Sequence, residues 1–123
     1  MKYLILIYSN PESRAIWEGF SDDQRAEGFR WYAALGEELA ASGELIVSEA
    51  LADPSLTRRV SVRDGQAFTS DGPFAESKEL LAGFFLLDCE QVDRAVEVAA
   101  RLPEAAFGLV EVRPVMELGG MEM

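Results

Sequence analysis

The amino-acid sequence predicts an α+β fold of the ferredoxin-like class. This is a split βαβ sandwich with an inserted β-hairpin, in which both helices cover one face of an antiparallel sheet. Three observations lead to this prediction. A strand–helix–strand pattern occurs twice, an Asp64-Gly65 turn joins two alternating segments between those units, and the strands are apolar enough to be buried. Because 123 residues suit one domain, we expect residues 1–123 to fold as a single domain.

The first unit begins with a strand. Residues 2–8 are a short apolar run with aromatic and β-branched side chains, and Ser9, Asn10 and Pro11 end it. A continuous apolar run is typical of a strand buried on both faces, so we expect it in the centre of the sheet. Residues 10–20 are expected to be a connection to the first helix.

The first helix has a clear start and a clear end. Ser21 stands at the N-cap with Gln24 three positions later, which is the spacing of a capping box. The helix is expected to run to about Ser42 and to stop at Gly43, a favourable residue after a helix end. Four residues recur at helical spacing and are expected to face the core: Phe29, Tyr32, Leu35 and Leu39.

A hairpin follows the second strand. Residues 57–63 alternate, with Val60 and Val62 on one face of the strand. Asp64 and Gly65 favour a two-residue type I′ turn, because both central positions of that turn need positive φ. This turn sets the pairs Arg63 with Gln66, Val62 with Ala67, and Ser61 with Phe68.

Two further strands belong to the main sheet on either side of the hairpin. Residues 44–51 predict the second strand, with Leu45 and Val47 on one face. Leu80–Leu87 is the longest apolar run of the chain, and its length suits a central strand better than a helix.

The second unit ends the chain. Asp88 and Gln91 repeat the capping-box spacing and predict the start of the second helix, which stops at Pro103. Leu109–Met116 alternates and predicts the last strand. Pro114 indicates that the end of this strand lies at an edge or is unpaired.

The predicted sheet has an uncovered face. Both helices lie on one side, yet the strands have apolar residues on both sides. A sheet with an uncovered apolar face usually buries that face against a partner. We therefore expect a homodimer that packs sheet to sheet with two-fold symmetry.

The composition excludes several function classes. The formal net charge is −11, from 22 acidic and 11 basic residues, whereas nucleic-acid and anionic membrane surfaces need a basic footprint. No segment approaches the roughly 20 apolar residues that span a bilayer. We expect neither a nucleic-acid partner nor a membrane.

The chain has no histidine and a single cysteine, Cys89. A Ser-His-Asp or Cys-His catalytic site is therefore excluded within one chain, and a zinc site would need cysteine and carboxylates alone. We expect no metal and no cofactor. A single cysteine forms no disulfide within the chain and suits a reducing compartment, so the expected location is the cytoplasm.

The segment Asp71–Glu79, with the sequence DGPFAESKE, joins the hairpin to the central strand. On one interpretation it is a structural junction. Asp71 accepts hydrogen bonds from its own loop, Pro73 stiffens the turn, and Phe74 anchors the segment in the core.

On a second interpretation the same segment is part of a site. A rigid loop would hold Asp71 beside a pocket, where its carboxylate acts as a base. Tyr8 and Ser9 at the end of the first strand would border the same cleft, and Arg58, Arg59 or Arg113 would bind a carboxylate ligand. The ligand-binding residues expected on this interpretation are Tyr8, Ser9, Arg58, Asp71, Glu76, Lys78 and Glu79.

Segments 62–65, 71–79 and 82–84, taken with the end strands 2–8 and 110–114, resemble the DGPF-domain branch of the YCII-related proteins. The resemblance implies a dimeric ferredoxin-like fold of the dimeric α/β-barrel type. It also implies two kinds of function, because some members have genes beside extracytoplasmic-function sigma factors and a few relatives are enzymes on chlorinated aromatic lactones. Catalysis in the wider family uses a His-Asp pair, and this chain has no histidine.

Three functions remain open from the sequence. The first is a small cytoplasmic homodimer that binds a small ligand or acts as a regulatory or accessory protein, with a link to a sigma-factor system implied by the resemblance. The second is a cofactor-free enzyme that uses Asp71 on a small polar, aromatic or lactone substrate. The third is a structural homodimer without a ligand. A deep pocket with a buried Asp71 favours the first two, and a shallow surface favours the third.

Overall fold

The computed structural model describes residues 1–74 and 78–118. In that part of the chain the elements follow in the order β1 (Lys2–Ser9), α1 (Pro11–Glu18), α2 (Asp22–Ala41), β2 (Leu45–Ala50), β3 (Arg58–Arg63), β4 (Gln66–Asp71), β5 (Leu80–Asp88), α3 (Val92–Ala100) and β6 (Val110–Pro114). Short 3₁₀ turns cover Pro54–Leu56 and Pro103–Phe107.

The strands form a four-stranded antiparallel sheet in the order β2-β5-β1-β6, and β3 and β4 form a separate two-stranded sheet. When the β3–β4 hairpin is left out, each βαβ unit contributes one central strand and one edge strand, which is the split βαβ arrangement. The predicted ferredoxin-like α+β fold with an inserted hairpin is therefore confirmed. β1 and β5 are central and β6 is an edge strand, as expected.

The core lies between the helices and one face of the sheet. Along β1, buried Tyr3, Ile5 and Ile7 alternate with half-buried Leu4 and Leu6. β1 was expected to be buried on both faces, but within one chain only the face beneath the helices is fully buried. The main buried cluster consists of Ile5, Ile7, Leu35, Leu39, Phe85, Leu87, Val98, Ala99 and Leu102.

Residues 11–18 form a helix where the sequence predicts a connection. Asn10 is its N-cap, because its side chain accepts a hydrogen bond from the Ser13 N–H at 2.8 Å, and the Ser13 hydroxyl accepts one from the Asn10 N–H at 2.9 Å. Pro11 fits the first helical position, where its missing N–H would have no partner in any case. An Asn-Pro pair indicates a strand end as well as a helix start, so the sequence pattern alone did not reveal this helix.

α2 begins and ends where the sequence predicts. The Ser21 hydroxyl accepts from the Gln24 N–H at 3.2 Å, the Gln24 side chain accepts from the Ser21 N–H at 2.8 Å, and Gly43 adopts φ +80°. Leu35 is buried, whereas Phe29 is exposed. Two steps of three residues turn Phe29 about 120° away from Leu35 around the helix axis, so the prediction that Phe29 faces the core was wrong.

A bulge in β2 changes its predicted pattern. Leu45 lies opposite Leu87 and Val47 lies opposite Leu86, so Ile46 is an extra residue between them. Leu87 is buried beneath the helices and Leu86 lies on the other face. Leu45 and Val47 therefore lie on opposite faces, and the prediction that they share a face was wrong because of the bulge.

The start of α3 also differs from the prediction. Asp88 is the last residue of β5 and pairs with Lys2 of β1, while its carboxylate accepts a hydrogen bond from the N-terminal amino group at 3.0 Å. A residue held in this strand ladder cannot also cap a helix. The N-cap is Gln91, which makes no side-chain capping bond.

The hairpin has the predicted turn and register. Asp64 and Gly65 have φ values of 51° and 77°, as a type I′ turn requires. The three predicted pairs, Arg63 with Gln66, Val62 with Ala67, and Ser61 with Phe68, are all observed.

Candidate functional site

The face of the four-stranded sheet that points away from α2 and α3, here called the open face, has an apolar centre. Leu4 lies opposite Leu86, and Leu6 lies opposite Phe84. All four side chains are half-buried, although no helix covers this side of the sheet. The centre of the open face is thus an apolar surface that solvent still reaches.

Polar side chains border this apolar centre on both outer strands. On β6, Arg113 lies opposite Leu4 and Glu111 lies opposite Leu6. On β2, the bulge brings Glu49 to the same face. The alternation of β6 explains the arrangement, because Val110 and Val112 face the core and the charged residues between them must face outward.

Tyr8 lies at the end of β1 on the open face and is the centre of the Tyr8 cluster, defined as Tyr8, Glu79, Glu111 and Arg113. A hydrogen bond to the Glu111 carboxylate is the largest cause of a raised Tyr8 pKa, followed by partial burial. The charge of Arg113 opposes this rise and the charge of Glu79 adds to it. Because the pKa lies above its ordinary value, the phenol is neutral at physiological pH and donates its one proton to the Glu111 carboxylate.

The Tyr8 cluster combines a cation, hydrogen-bond acceptors and a phenol at the edge of an apolar surface. Its guanidinium matches carboxylate or phenolate oxygens, its carboxylates accept hydrogen bonds from hydroxyl groups, and the phenol oxygen of Tyr8, whose proton is donated to Glu111, accepts one. The backbone of Tyr8 is fixed by the donation of its N–H to the Leu109 carbonyl at 2.9 Å.

Ser9 lies next to the cluster but is held in local contacts. Its hydroxyl donates to the Leu80 carbonyl at 3.5 Å, and Arg14 donates to the Ser9 hydroxyl at 3.2 Å. The pKa of Asp53 is lowered mainly by hydrogen bonds from Ser55, and the charge of Arg14 lowers it further by a small amount. Ser9 therefore joins β1, α1 and the start of β5.

Asp71 and Arg58 lie opposite each other at the base of the hairpin, and both are exposed. The Gly72 N–H donates to the Thr57 carbonyl at 2.7 Å, and Gly72 adopts φ +83°, so the backbone closes the hairpin at this point. The structure therefore places Asp71 on an exposed hairpin and not in a deep pocket of its own chain.

Phe74 is 68% exposed, so the prediction that it anchors the segment in the core was wrong. The Arg59 guanidinium lies 5.3 Å from the centre of the Phe74 ring and also donates to the Ser70 hydroxyl at 3.2 Å. The hairpin forms its own small sheet away from the core, and the ring packs on this cation instead.

The remaining candidates separate into different places. Glu79 belongs to the Tyr8 cluster, and Lys78 beside it is exposed. Glu76 lies outside the described residues. The sequence-predicted residues thus divide into one group around Tyr8 and a second group, Arg58 and Asp71, on the hairpin.

Glu111 is a residue of the Tyr8 cluster that was not among the sequence-predicted ligand-binding residues. The alternation of the last strand places it on the same face as Arg113, but its position beside Tyr8 depends on which strand β6 pairs with. That pairing is a property of the whole sheet, so the local pattern around Glu111 does not show it.

Two surface clefts lie elsewhere and include none of the predicted ligand-binding residues. In residues 1–74 and 78–118, no three His, Cys, Asp or Glu side chains are placed to hold a metal ion. No helix in those residues is long and apolar enough to cross a bilayer. One cleft is lined by Met1, Lys2, Asp88, Val115, Met116, Glu117 and Leu118, and the other by Phe20, Gln24, Glu27, Gly28, Arg30 and Trp31.

Comparison with known proteins gives three findings. The family model of the YCII-related domain matches residues 1–119. An uncharacterised protein, R00369 of Rhizobium meliloti (strain 1021), is 32% identical over 117 residues, which cover 94% of this chain and 92% of that protein. The solved structure of 5-chloro-2-hydroxyhydroquinone dehydrochlorinase (TftG) from Burkholderia phenoliruptrix AC1100, in complex with 2,5-dihydroxybenzoquinone, is similar with a TM-score of 0.53 at 16% identity over 98% of both chains. At that identity the likeness concerns the fold alone.

Proposed function

The chain belongs to the YCII-related domain family, and from this premise we propose that it is a homodimer that binds a small molecule at the Tyr8 cluster. The observation that supports this proposal is the position of the cluster. A neutral phenol with Glu111 as its hydrogen-bond partner lies beside the apolar centre of the open face, and the charges of Arg113 and Glu79 act on it.

The open face supports the homodimer. Half-buried Leu4, Leu6, Phe84 and Leu86 form an apolar surface that no element covers within the described chain. An apolar surface of this kind is stabilised when it packs on another one. Two copies packed open face to open face around a two-fold axis would bury the apolar centre and leave the Tyr8 cluster at its border.

The chemistry of the cluster indicates the class of ligand. A flat ring would pack on Leu6 and Phe84, which lie opposite each other. Its hydroxyl and anionic oxygen atoms would then meet Tyr8, Glu111 and Arg113. We therefore propose a small hydroxylated or carboxylated aromatic or quinone as ligand, and the compound bound to the fold relative, 2,5-dihydroxybenzoquinone, is the first probe.

The proposal is tested by calorimetric titration of 2,5-dihydroxybenzoquinone into wild type and into R113Q. Removal of one charged hydrogen bond, worth about 1.5–3 kcal/mol, is expected to weaken binding about tenfold to a hundredfold. The matched control is R63Q, which removes the same charge from the exposed hairpin strand β3. Equal affinity of R113Q and R63Q for the probe contradicts the proposed site.

A second pair of variants tests the phenol. Y8F removes only the hydroxyl that is hydrogen-bonded to Glu111 and is expected to weaken probe binding about twofold to tenfold. The control is Y3F on the same strand, because Tyr3 is buried on the opposite face of the sheet. If Y3F loses more affinity for the probe than Y8F does, the ligand binds on the helix-covered face of the sheet, which contradicts the proposed site.

The exposed position of Asp71 on the hairpin counts against the enzyme alternative with Asp71 as base and against a ligand site at Asp71, and by that criterion it favours the structural homodimer without a ligand. The proposed ligand site therefore depends on the Tyr8 cluster alone. A regulatory role beside an extracytoplasmic-function sigma factor and a cytoplasmic location stay predictions from the sequence.

A further inference from the structure

The hairpin of β3 and β4, here called the arm, has two different faces. Residues directly opposite each other in the two strands share a face, so Val60, Thr69, Val62 and Ala67 lie together. We call this the Val60 face. Arg58 and Asp71 lie on the same face at its base.

The opposite face of the arm carries side-chain contacts within the chain, although Phe68 on that face is itself 47% exposed. The Arg63 guanidinium lies 5.7 Å from the centre of the Phe68 ring, and Arg59 contacts both Ser70 and Phe74. The Val60 face differs, because the Val60 and Val62 side chains are 67% and 66% exposed. Because an isolated two-stranded hairpin is at best marginally stable in water, packing this face on another surface would stabilise the arm.

The open face alone gives a small interface for a stable dimer, so a further surface would strengthen the dimer. Four strands at about 4.8 Å spacing, with about seven residues at about 3.4 Å each, give a planar face of about 450 Å² per copy. Stable interfaces bury about 1,200–2,000 Å² in total. By the same geometry the Val60 face adds about 200 Å² per copy, which raises the total of both copies from about 900 to about 1,300 Å².

The charges at the base of the arm are self-complementary. Arg58 and Asp71 have opposite sign and lie on the Val60 face. In a two-fold interface, if residue i of one copy contacts residue j of the other, then j also contacts i. If Arg58 of one copy contacts Asp71 of the other, this ion pair therefore forms twice.

We propose that the Val60 face of the arm packs on the Val60 face of a second copy of this chain. This inference rests on the homodimer of the proposed function and adds a second contact to it. Arg58 and Asp71 then act in assembly, and they contact no ligand.

The first test measures the dimer dissociation constant by sedimentation equilibrium for V60D/V62D and for S61D/Q66D. Both variants add two carboxylates to exposed arm positions, but S61D/Q66D adds them to the opposite face. Because V60D/V62D would bury four charges in the dimer, its dissociation constant is expected to rise at least about a hundredfold. S61D/Q66D is expected to stay within about threefold of wild type, and far-UV circular dichroism checks that both variants fold.

The outcomes separate this inference from the proposed function. If wild type is a dimer and the two variants dissociate equally, the arm contact is refuted and the open-face dimer stands. If wild type is a monomer at micromolar concentration, both the dimer and the arm contact are refuted.

The second test uses two charge reversals in separate chains. A tagged R58D chain and an untagged D71R chain are mixed, and the fraction of mixed dimers is measured after affinity capture. The inference predicts a clear excess of mixed dimers over the statistical half, since only the mixed dimer restores opposite charges across the two-fold axis. R63D mixed with Q66R is the control on the opposite face, and a statistical distribution in both mixtures overturns the inference.

Discussion

Gly83 of β5 lies where the backbone of β2 approaches most closely. A Cβ atom added at Gly83 would lie 2.8 Å from the Glu49 carbonyl oxygen and 3.4 Å from the Ala50 Cα. Both neighbours are backbone atoms of the paired strand, so they cannot turn away as a side chain would. The substitution G83A is therefore expected to push β2 and β5 apart.

The expected cost follows from this contact. Forcing a methyl group into a closely packed backbone site typically costs about 1–3 kcal/mol. The matched control is G36A in the middle of α2, where an added Cβ has no neighbour within 4 Å. Alanine is favoured over glycine in a helix by about 0.8–1.0 kcal/mol, so this control is expected to stabilise the protein.

Urea unfolding of both variants at one protein concentration measures the difference. We expect G83A to lower the free energy of unfolding and G36A to raise it, with a gap of about 2–4 kcal/mol between them. If G83A is as stable as G36A, then β2 does not approach β5 as described. The placement of Glu49 on the open face would then be wrong as well.

Three further variants test the fold. The hydrogen bond from Arg94 is the main cause that lowers the Glu44 pKa from 4.5 to about 2. This pair therefore stabilises the folded state above pH 4.5, and the stabilisation is lost as the pH falls towards 2. Urea unfolding of E44Q between pH 7 and pH 2.5 should show a free energy of unfolding that depends less on acid than that of wild type. S21A removes the side-chain acceptor for the Gln24 N–H and should lower the free energy of unfolding by about 1 kcal/mol, whereas an unchanged value contradicts the cap. L39A empties a fully buried position in the core and should cost about 2–5 kcal/mol in the same assay, and a cost below that range would mean that Leu39 is not a core residue.

Local signals explain the parts of the fold that the sequence predicts correctly. Ser21 and Gln24 satisfy each other's backbone groups within four residues, and Asp64-Gly65 needs only its own backbone conformation to set the hairpin register. The bulge at Ile46 differs, because it exists only in relation to the partner strand β5. The pattern within β2 therefore does not reveal it.

The candidate site was less predictable than the fold, because part of it depends on which strands pair and not on a local sequence pattern. The sequence places Tyr8 at the exit of the first strand and Glu79 before the central strand, and in the structure the charge of Glu79 acts on Tyr8. Glu111 joins them only through the pairing of β6 with β1. Phe74 was predicted to lie in the core because it is a large aromatic residue. In the structure its ring contacts the guanidinium of Arg59 on the arm and not the core.

The position of the bound ligand tests the central claim most directly. A crystal structure of the protein soaked with 2,5-dihydroxybenzoquinone would show where the probe lies. The account predicts ring density on Leu6 and Phe84, with oxygen atoms within hydrogen-bond distance of Tyr8 and Arg113. Probe density only at the arm or in the two clefts away from the open face would contradict it.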